Sequence, residues 1–255
     1  MLKNVISKKA IIYPLLMLAT MWFGYFLQTQ GFFGSCFGAI IPLLPEGLLG
    51  IITSPLLHGN TEHIVGNSIP IAILMFLLYQ FYPLVANKVF IMGWLASGLL
   101  LWLLPPIDIF TGQYTYTCTI GASGVVYVLA FFLFFSGVFK WNTKLLTISM
   151  LVVLYYGSLI WGIFPEELFY NLHEPSNISW QAHLSGAIVG IIIAFIFKDI
   201  GEKKKKYIWE FPNYYNEKDD KLWQEYKENH PDDFLELPFK KKDDIWEHLE
   251  ELRRK

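Results

Sequence analysis

The sequence predicts an all-α membrane protein of six spanning helices with a charged tail. Three observations predict it. Over half of the 255 residues are apolar, yet the charge is unevenly placed: residues 1–198 hold seven Lys, no Arg and six acidic residues. The remaining thirteen basic and sixteen acidic residues lie in 199–255. A soluble domain would spread charge over its whole surface, so an apolar block followed by a charged block reads as one chain in two solvents. Third, six apolar stretches are each about 20 residues long, the length that crosses a bilayer core.

The first stretch, 10–28, follows Lys3, Lys8 and Lys9 and runs through Trp22, Phe23 and Phe26 with no small-residue cleavage site. It is expected to be a retained span and not a signal peptide. The next apolar region, 37–57, contains Pro42, Pro45, Glu46, Gly47, Gly50 and Pro55. These residues break helices and leave backbone groups unpaired in lipid, so the region is expected to be a partly embedded interfacial loop. Spans are then expected at 63–82, 87–104, 121–139, 145–164 and 181–197.

Charge in the connections tests this division. With the N-terminus inside, Lys88, Lys140, Lys144, Lys198 and the run Lys203–Lys206 all fall inside, whereas 29–62, 105–120 and 165–180 contain no Lys or Arg. A seventh span at 37–57 would put Lys88 and Lys140 on opposite sides and spoil the positive-inside asymmetry. Both termini are therefore expected in the cytoplasm, with 1–198 as the membrane domain and 199–255 as the tail. Nothing points to nucleic acid; the basic run directly after an apolar segment reads as a juxtamembrane anchor facing anionic lipid. The tail offers two short helix candidates. One is 219–229, stopped before Pro231; the other is capped by Asp243, with Ile245, Leu249 and Leu252 on one face. Cys36 and Cys118 are too few for a disulfide framework and lack metal-ligand spacing. Both lie in outer loops, so one bridge is open to them, but the sequence does not give their separation and the expectation is that they stay unpaired.

Polar residues inside spans cost a few kcal/mol each on insertion scales and need a reason. His58, His63 and Asn67 lie near the start of the second span. Gly121-Ala122-Ser123-Gly124, then Tyr127, opens the fourth. His183, Gly186 and Gly190 lie near the start of the sixth. The topology puts all three groups at one depth, although depth was not used to build it. Each has a plain reading. Ser123 is a small residue at a helix contact, Gly186-x3-Gly190 is a packing motif, His183 is an interior or ion-pathway histidine, and His63 with Asn67 is glue between helices.

Their combination favours chemistry. Small residues let the fourth and sixth helices approach, bringing Ser123 toward His183, the usual base for a serine nucleophile. His63 and Asn67 supply donors for an oxyanion, as does the N-terminus of the fourth helix. Tyr127, one turn beyond Ser123, is placed to pack against His183 and hold its ring. Glu62, Asp108 and Glu174, the nearest carboxylates, are in outer loops, so a Ser–His pair is implied in place of a triad. No metal or cofactor is called for.

His58-x4-His63-x3-Asn67, Gly121-Ala-Ser123-Gly124-Val-Val-Tyr127 and Ala182-His183-x2-Gly186-x3-Gly190 resemble, in order and helix placement, the three signature segments of the rhomboid family. The resemblance covers 10–198. It implies a six-helix, rhomboid-like bundle with a water-filled site opening outward, in a membrane expected to be a bacterial plasma membrane. It further implies Ser123 as nucleophile, His183 as general base and acid, and His63, Asn67 and the Ser123 backbone N–H as oxyanion donors. Its substrates would be single-pass or multi-pass membrane proteins, cut within a transmembrane helix near the outer face, usually beside a small residue. One departure is in the loop before the second span: many rhomboids carry a Trp-Arg pair where this chain reads Gly47-Leu-Leu-Gly50-Ile-Ile-Thr-Ser54. Two other functions remain open to the sequence: a catalytically silent relative that binds membrane clients, and a small transporter. The transporter reading expects internal repeats or helices broken at the midplane; no repeat is seen, and the polar group lies toward one side.

Overall fold

The computed structural model describes residues 6–34, 36–106, 112–165, 179–202 and 217–234. It divides into two units, 1–205 and 206–255. The first is helical: α1 Lys8–Thr29, α2 Gly50–Thr53, α3 Thr61–Phe81, α4 Ala86–Leu103, α5 Ser123–Lys140, α6 Thr143–Tyr156 and α7 Trp180–Ile196. α6 continues as a 3₁₀ segment, Gly157–Ile163. Among the described residues, five helices are long and apolar enough to cross a membrane: α1, α3, α4, α5 and the continuous Thr143–Ile163. α7 is apolar but 17 residues long.

Helix starts follow local chemistry. Asn60 Oδ1 accepts from the His63 N–H at the head of α3 (2.8 Å), Asn142 Oδ1 from the Lys144 N–H at the head of α6 (3.0 Å), and Ser179 Oγ from the Ala182 N–H at the head of α7 (3.3 Å). Each side-chain oxygen satisfies one N–H that the first turn leaves without a partner. Being apolar all round, α5 is the central helix, with Val128, Leu129, Phe132 and Leu133 fully enclosed, as that pattern demands. α1 and α6 lie outside it and turn Leu15, Phe23, Leu154 and Tyr155 outward. Apolar exposure of this extent on five helices is a surface made for lipid.

Between α1 and α3 no spanning helix forms. Residues 45–57 make two 3₁₀ turns, Pro45–Gly47 and Ser54–Leu56, around the one-turn α2. This region is fastened to α4: Leu43 N–H donates to the Trp102 carbonyl (2.9 Å), Trp102 Nε1 to the Leu44 carbonyl (2.8 Å), and Trp94 Nε1 to the Ile51 carbonyl (3.1 Å). Gly47 and Gly50 pack on the backbone of 39–41, where a Cβ has no room.

One expectation is corrected here. Cys36 and Cys118 form a disulfide, with Cα atoms 5.5 Å apart across 82 residues of sequence. Ile40 and Thr119 pair as an isolated antiparallel bridge beside it, and the Cα separation is one that a disulfide spans.

At the opposite end of the bundle, Lys140 is buried and donates through Nζ to the carbonyls of Phe197 (2.9 Å), Lys198 (3.0 Å) and Ile200. Lys144 pairs with Glu202 at 2.6 Å. In the second unit, α8 Glu217–Asn229 stops before a 3₁₀ turn at Pro231–Phe234, as the sequence predicts for 219–229. The helix expected after Asp243 and the run Lys203–Lys206 lie outside the described residues.

Candidate active site

Ser123 is the first residue of α5. The residue before it, Ala122, occupies the N-cap position and has no side-chain acceptor, so no side chain caps the first turn. The N–H groups there point out of the helix start along the positive end of its dipole. Gly121 has φ +113°, a conformation that L side chains rarely adopt. It also has no room for one. A Cβ on Gly121 would sit 2.5 Å from His63 Nε2 and 3.5 Å from Asn67 Nδ2. Two side-chain donor groups of α3, one turn apart, therefore gather against the backbone two residues before Ser123.

His183 lies in the first turns of α7, which packs directly on α5. A Cβ on Gly186 would meet the Gly124 carbonyl oxygen and lie 2.9 Å from Tyr127 Cβ; one on Gly190 would lie 2.6 Å from the Val128 carbonyl oxygen. The Cβ position of Gly124 is 3.5 Å from the Ala182 carbonyl oxygen. Ser123 and His183 are the chain neighbours of those two residues, so the contact between helices is flanked by both. They form no direct hydrogen bond in this structure.

The imidazole of His183 is held from two sides. Tyr127 stacks on it with ring centroids 4.2 Å apart and planes 9° from parallel. Nδ1 is 2.9 Å from the Gly162 carbonyl oxygen. A carbonyl only accepts, so Nδ1 carries the proton and, in the neutral ring, the lone pair is on Nε2. Gly162 itself fits because it lacks a side chain: a Cβ there would meet the Tyr127 hydroxyl and come within 3.1 Å of His183 Nδ1. Sequence reasoning missed Gly162. It sits in an apolar run, and its contribution is a backbone carbonyl that every residue possesses.

His58 precedes α3 and is fully buried, its backbone N–H donating to Gln28 Oε1 at 3.1 Å. Its ring meets that of His63 edge-on, centroids 5.0 Å apart. Neither ring nitrogen of His58 has a hydrogen-bond partner among the described residues, nor does Asn67 Nδ2, which is also buried. Of the carboxylates weighed from sequence, Glu62 is exposed in the first turn of α3, while Asp108 and Glu174 fall outside the described residues. Among the described residues no three His, Cys, Asp or Glu side chains are grouped to hold a metal.

Residues 45–200 match the family model described as Rhomboid domain. The chain is also similar to uncharacterized proteins of Mycobacterium tuberculosis and Mycobacterium bovis, each 34% identical over 161 residues, covering 62% of this chain and 62% of the relative. An uncharacterized protein of Mycobacterium leprae is 33% identical over 161 residues, covering 60% of this chain and 58% of that protein. The chain thus spans less than two thirds of the length of these curated relatives.

Proposed function

The chain belongs to the rhomboid family of multi-pass membrane proteins, and from that premise we propose that it is an intramembrane serine endopeptidase working by a Ser123–His183 dyad. The observation that carries the proposal is the posture of His183. With Nδ1–H given to the Gly162 carbonyl and one face covered by Tyr127, the ring presents Nε2 as a proton acceptor on the helix that packs against the start of α5. Ser123 Oγ attacks the scissile carbonyl while His183 Nε2 takes its proton. The same proton then passes to the leaving amine, and a water repeats the sequence to release the acyl group. The Nδ1–H···O=C bond fixes the ring through both transfers and needs no carboxylate.

Charge on the tetrahedral oxygen would be met by Asn67 Nδ2, His63 Nε2 and the Ser123 N–H at the uncapped start of α5. The buried Nδ2 of Asn67 has no acceptor among the described residues, which supports its holding that capacity for the substrate oxygen. The substrates fitting this reading are transmembrane helices of single-pass or multi-pass proteins, cut near the outer face. The reading includes six spans, α7 being the sixth, with both termini in the cytoplasm of a bacterial plasma membrane. The Lys distribution supports that orientation.

The missing Ser123–His183 hydrogen bond is what favours a silent, client-binding relative as the second reading. It weighs little, because catalytic hydrogen bonds in free enzymes are often long and tighten with substrate. A fluorophosphonate probe separates the two. Wild type is expected to be labelled, with Ser123→Ala and His183→Ala both unlabelled at equal expression. Labelling of Ser123→Ala equal to wild type would remove Ser123 from the mechanism, and an unlabelled wild type would favour the silent reading.

A further inference from the structure

Three ties connect the outer loop to the short segment leading into α5. The Cys36–Cys118 disulfide is covalent. Next to it, Ile40 and Thr119 exchange two backbone hydrogen bonds, both 2.9 Å. Then the Gly121 N–H donates to the Ser54 carbonyl at 2.8 Å. The loop is in turn backed by Trp94 and Trp102 of α4 and closed on itself by Thr53 Oγ1 donating to the Gly38 carbonyl at 2.7 Å. Residues 38–54 thus form a fixed plate, and residues 118–121 are clipped to its edge. Ser123 follows after Ala122, on a helix with no side-chain cap of its own.

A single pair of bridging residues is too short to hold two segments together in water; isolated two-strand pairings are marginal even at hairpin length. The disulfide changes that. Cys118 adjoins Thr119, so the covalent link holds the bridge partners at high effective concentration. Both cysteines are only half-buried, and their neighbours Phe37 and Thr117 are exposed.

We propose that the Cys36–Cys118 disulfide is a redox-controlled positioning element for the nucleophile segment: closed, it holds Ser123 at the site; opened by a dithiol, it releases residues 118–122 and slows cleavage. In the step itself a thiolate of the dithiol attacks one sulfur and forms a mixed disulfide, and its second thiol resolves that bond. The dithiol leaves as its own disulfide, while two electrons and two protons remain on Cys36 and Cys118 as thiols. This inference rests on the protease reading above.

The test uses the full chain in detergent with a transmembrane model substrate, comparing oxidised wild type, wild type reduced by dithiothreitol, and the Cys36→Ser/Cys118→Ser double variant. Reduction is expected to lower kcat about ten- to hundredfold, the scale of loss when a reacting group shifts by about 1 Å, with KM little changed. Replacing the reductant with oxidised glutathione, which takes up the two electrons as the disulfide re-forms, should restore wild type, and the double variant should stay slow in both buffers. Hydrogen–deuterium exchange adds a readout independent of cleavage: amides of residues 119–125 should exchange faster on reduction, while those in the middle of α5 should not. Unchanged kcat on reduction overturns the proposal, and so does a loss that only tracks global unfolding. If oxidised wild type does not cleave at all, the protease reading fails. The exchange experiment then still decides whether the disulfide holds the segment, unchanged exchange being the refuting result.

Discussion

Gly186→Ala probes whether the spacing between α5 and α7 sets the chemistry. The added Cβ would meet the Gly124 carbonyl oxygen, with Gly124 C at 3.1 Å and Tyr127 Cβ at 2.9 Å. Two of these three atoms are backbone, so no rotamer change relieves the contact and the helices must part. Overpacking of this kind costs about 1–3 kcal/mol. A separation near 1 Å at this level moves His183 away from Ser123 and is expected to lower kcat by about 10²-fold. Gly190→Ala makes a contact of similar kind one turn further from Ser123, with the Val128 carbonyl oxygen at 2.6 Å and Phe131 Cβ at 3.0 Å. It should cost similar stability and clearly less kcat. Gly66→Ala is the control, since nothing lies within 4 Å of its Cβ position. Thermal unfolding in detergent and cleavage of a transmembrane model substrate give the two readouts. Wild-type kcat in Gly186→Ala, or equal losses at Gly186 and Gly190, would refute the reasoning that the close approach near Gly124 aligns the dyad.

Ser123→Ala and His183→Ala should each abolish cleavage, and the double variant should be no worse than either, because in the proposed mechanism the two act as a unit. Asn67→Ala should retain measurable cleavage with kcat reduced more than KM is raised, since in the proposed mechanism the α5 N–H groups share the oxyanion charge. Tyr127→Phe keeps the ring over His183 and should stay close to wild type, whereas Tyr127→Leu loses a stacking contact of about 0.5–1.5 kcal/mol and should slow kcat roughly two- to tenfold. Equal rates for the two Tyr127 variants would show that stacking does not orient the base. For orientation in the membrane, a cysteine at Gln113 should react with an impermeant reagent from outside and one at Trp141 should not. Trp141 is 63% exposed, whereas its neighbour Asn142 is buried as the α6 cap and unsuited to labelling. External labelling at position 141 would overturn the topology.

Helix extents were legible because an apolar run long enough for a bilayer leaves the backbone few alternatives to a helix. The expected 63–82, 87–104, 121–139 and 181–197 lie within two residues of α3, α4, α5 and α7 at each end. The run 145–164 was legible as a span but not as a change of helix type. Within it Gly157–Ile163 winds as 3₁₀, with Gly157 and Gly162 at positions of weak α-helical preference. That tighter segment is also what delivers the Gly162 carbonyl to His183. The site's polar members could be read because polar residues in a span are costly and therefore few. The disulfide could not: a separation of 82 residues says nothing about distance until the Ile40–Thr119 pairing and the α4 tryptophans are known.

Lys140 shows how a sequence reading can miss a second role for the same residue. In the sequence it is one of the cations expected to mark the inside connections. In the fold it is buried at the last turn of α5 and donates to the carbonyls of Phe197, Lys198 and Ile200, where α7 ends. The end of a helix leaves carbonyls without intrahelical partners and carries the negative end of the dipole, so a buried ammonium there is compensated in a way that an isolated one is not. One residue therefore couples the end of the helix that begins with Ser123 to the end of the helix that carries His183. The two helices are tied at the far end by this lysine and at the near end by the Gly124–Gly186 approach and the Tyr127–His183 stack. Rotating or sliding either helix past the other would break contacts at both ends together. The relative placement of Ser123 and His183 is thus a property of the whole helix pair, which is why a single added methyl at Gly186 is expected to be felt in kcat.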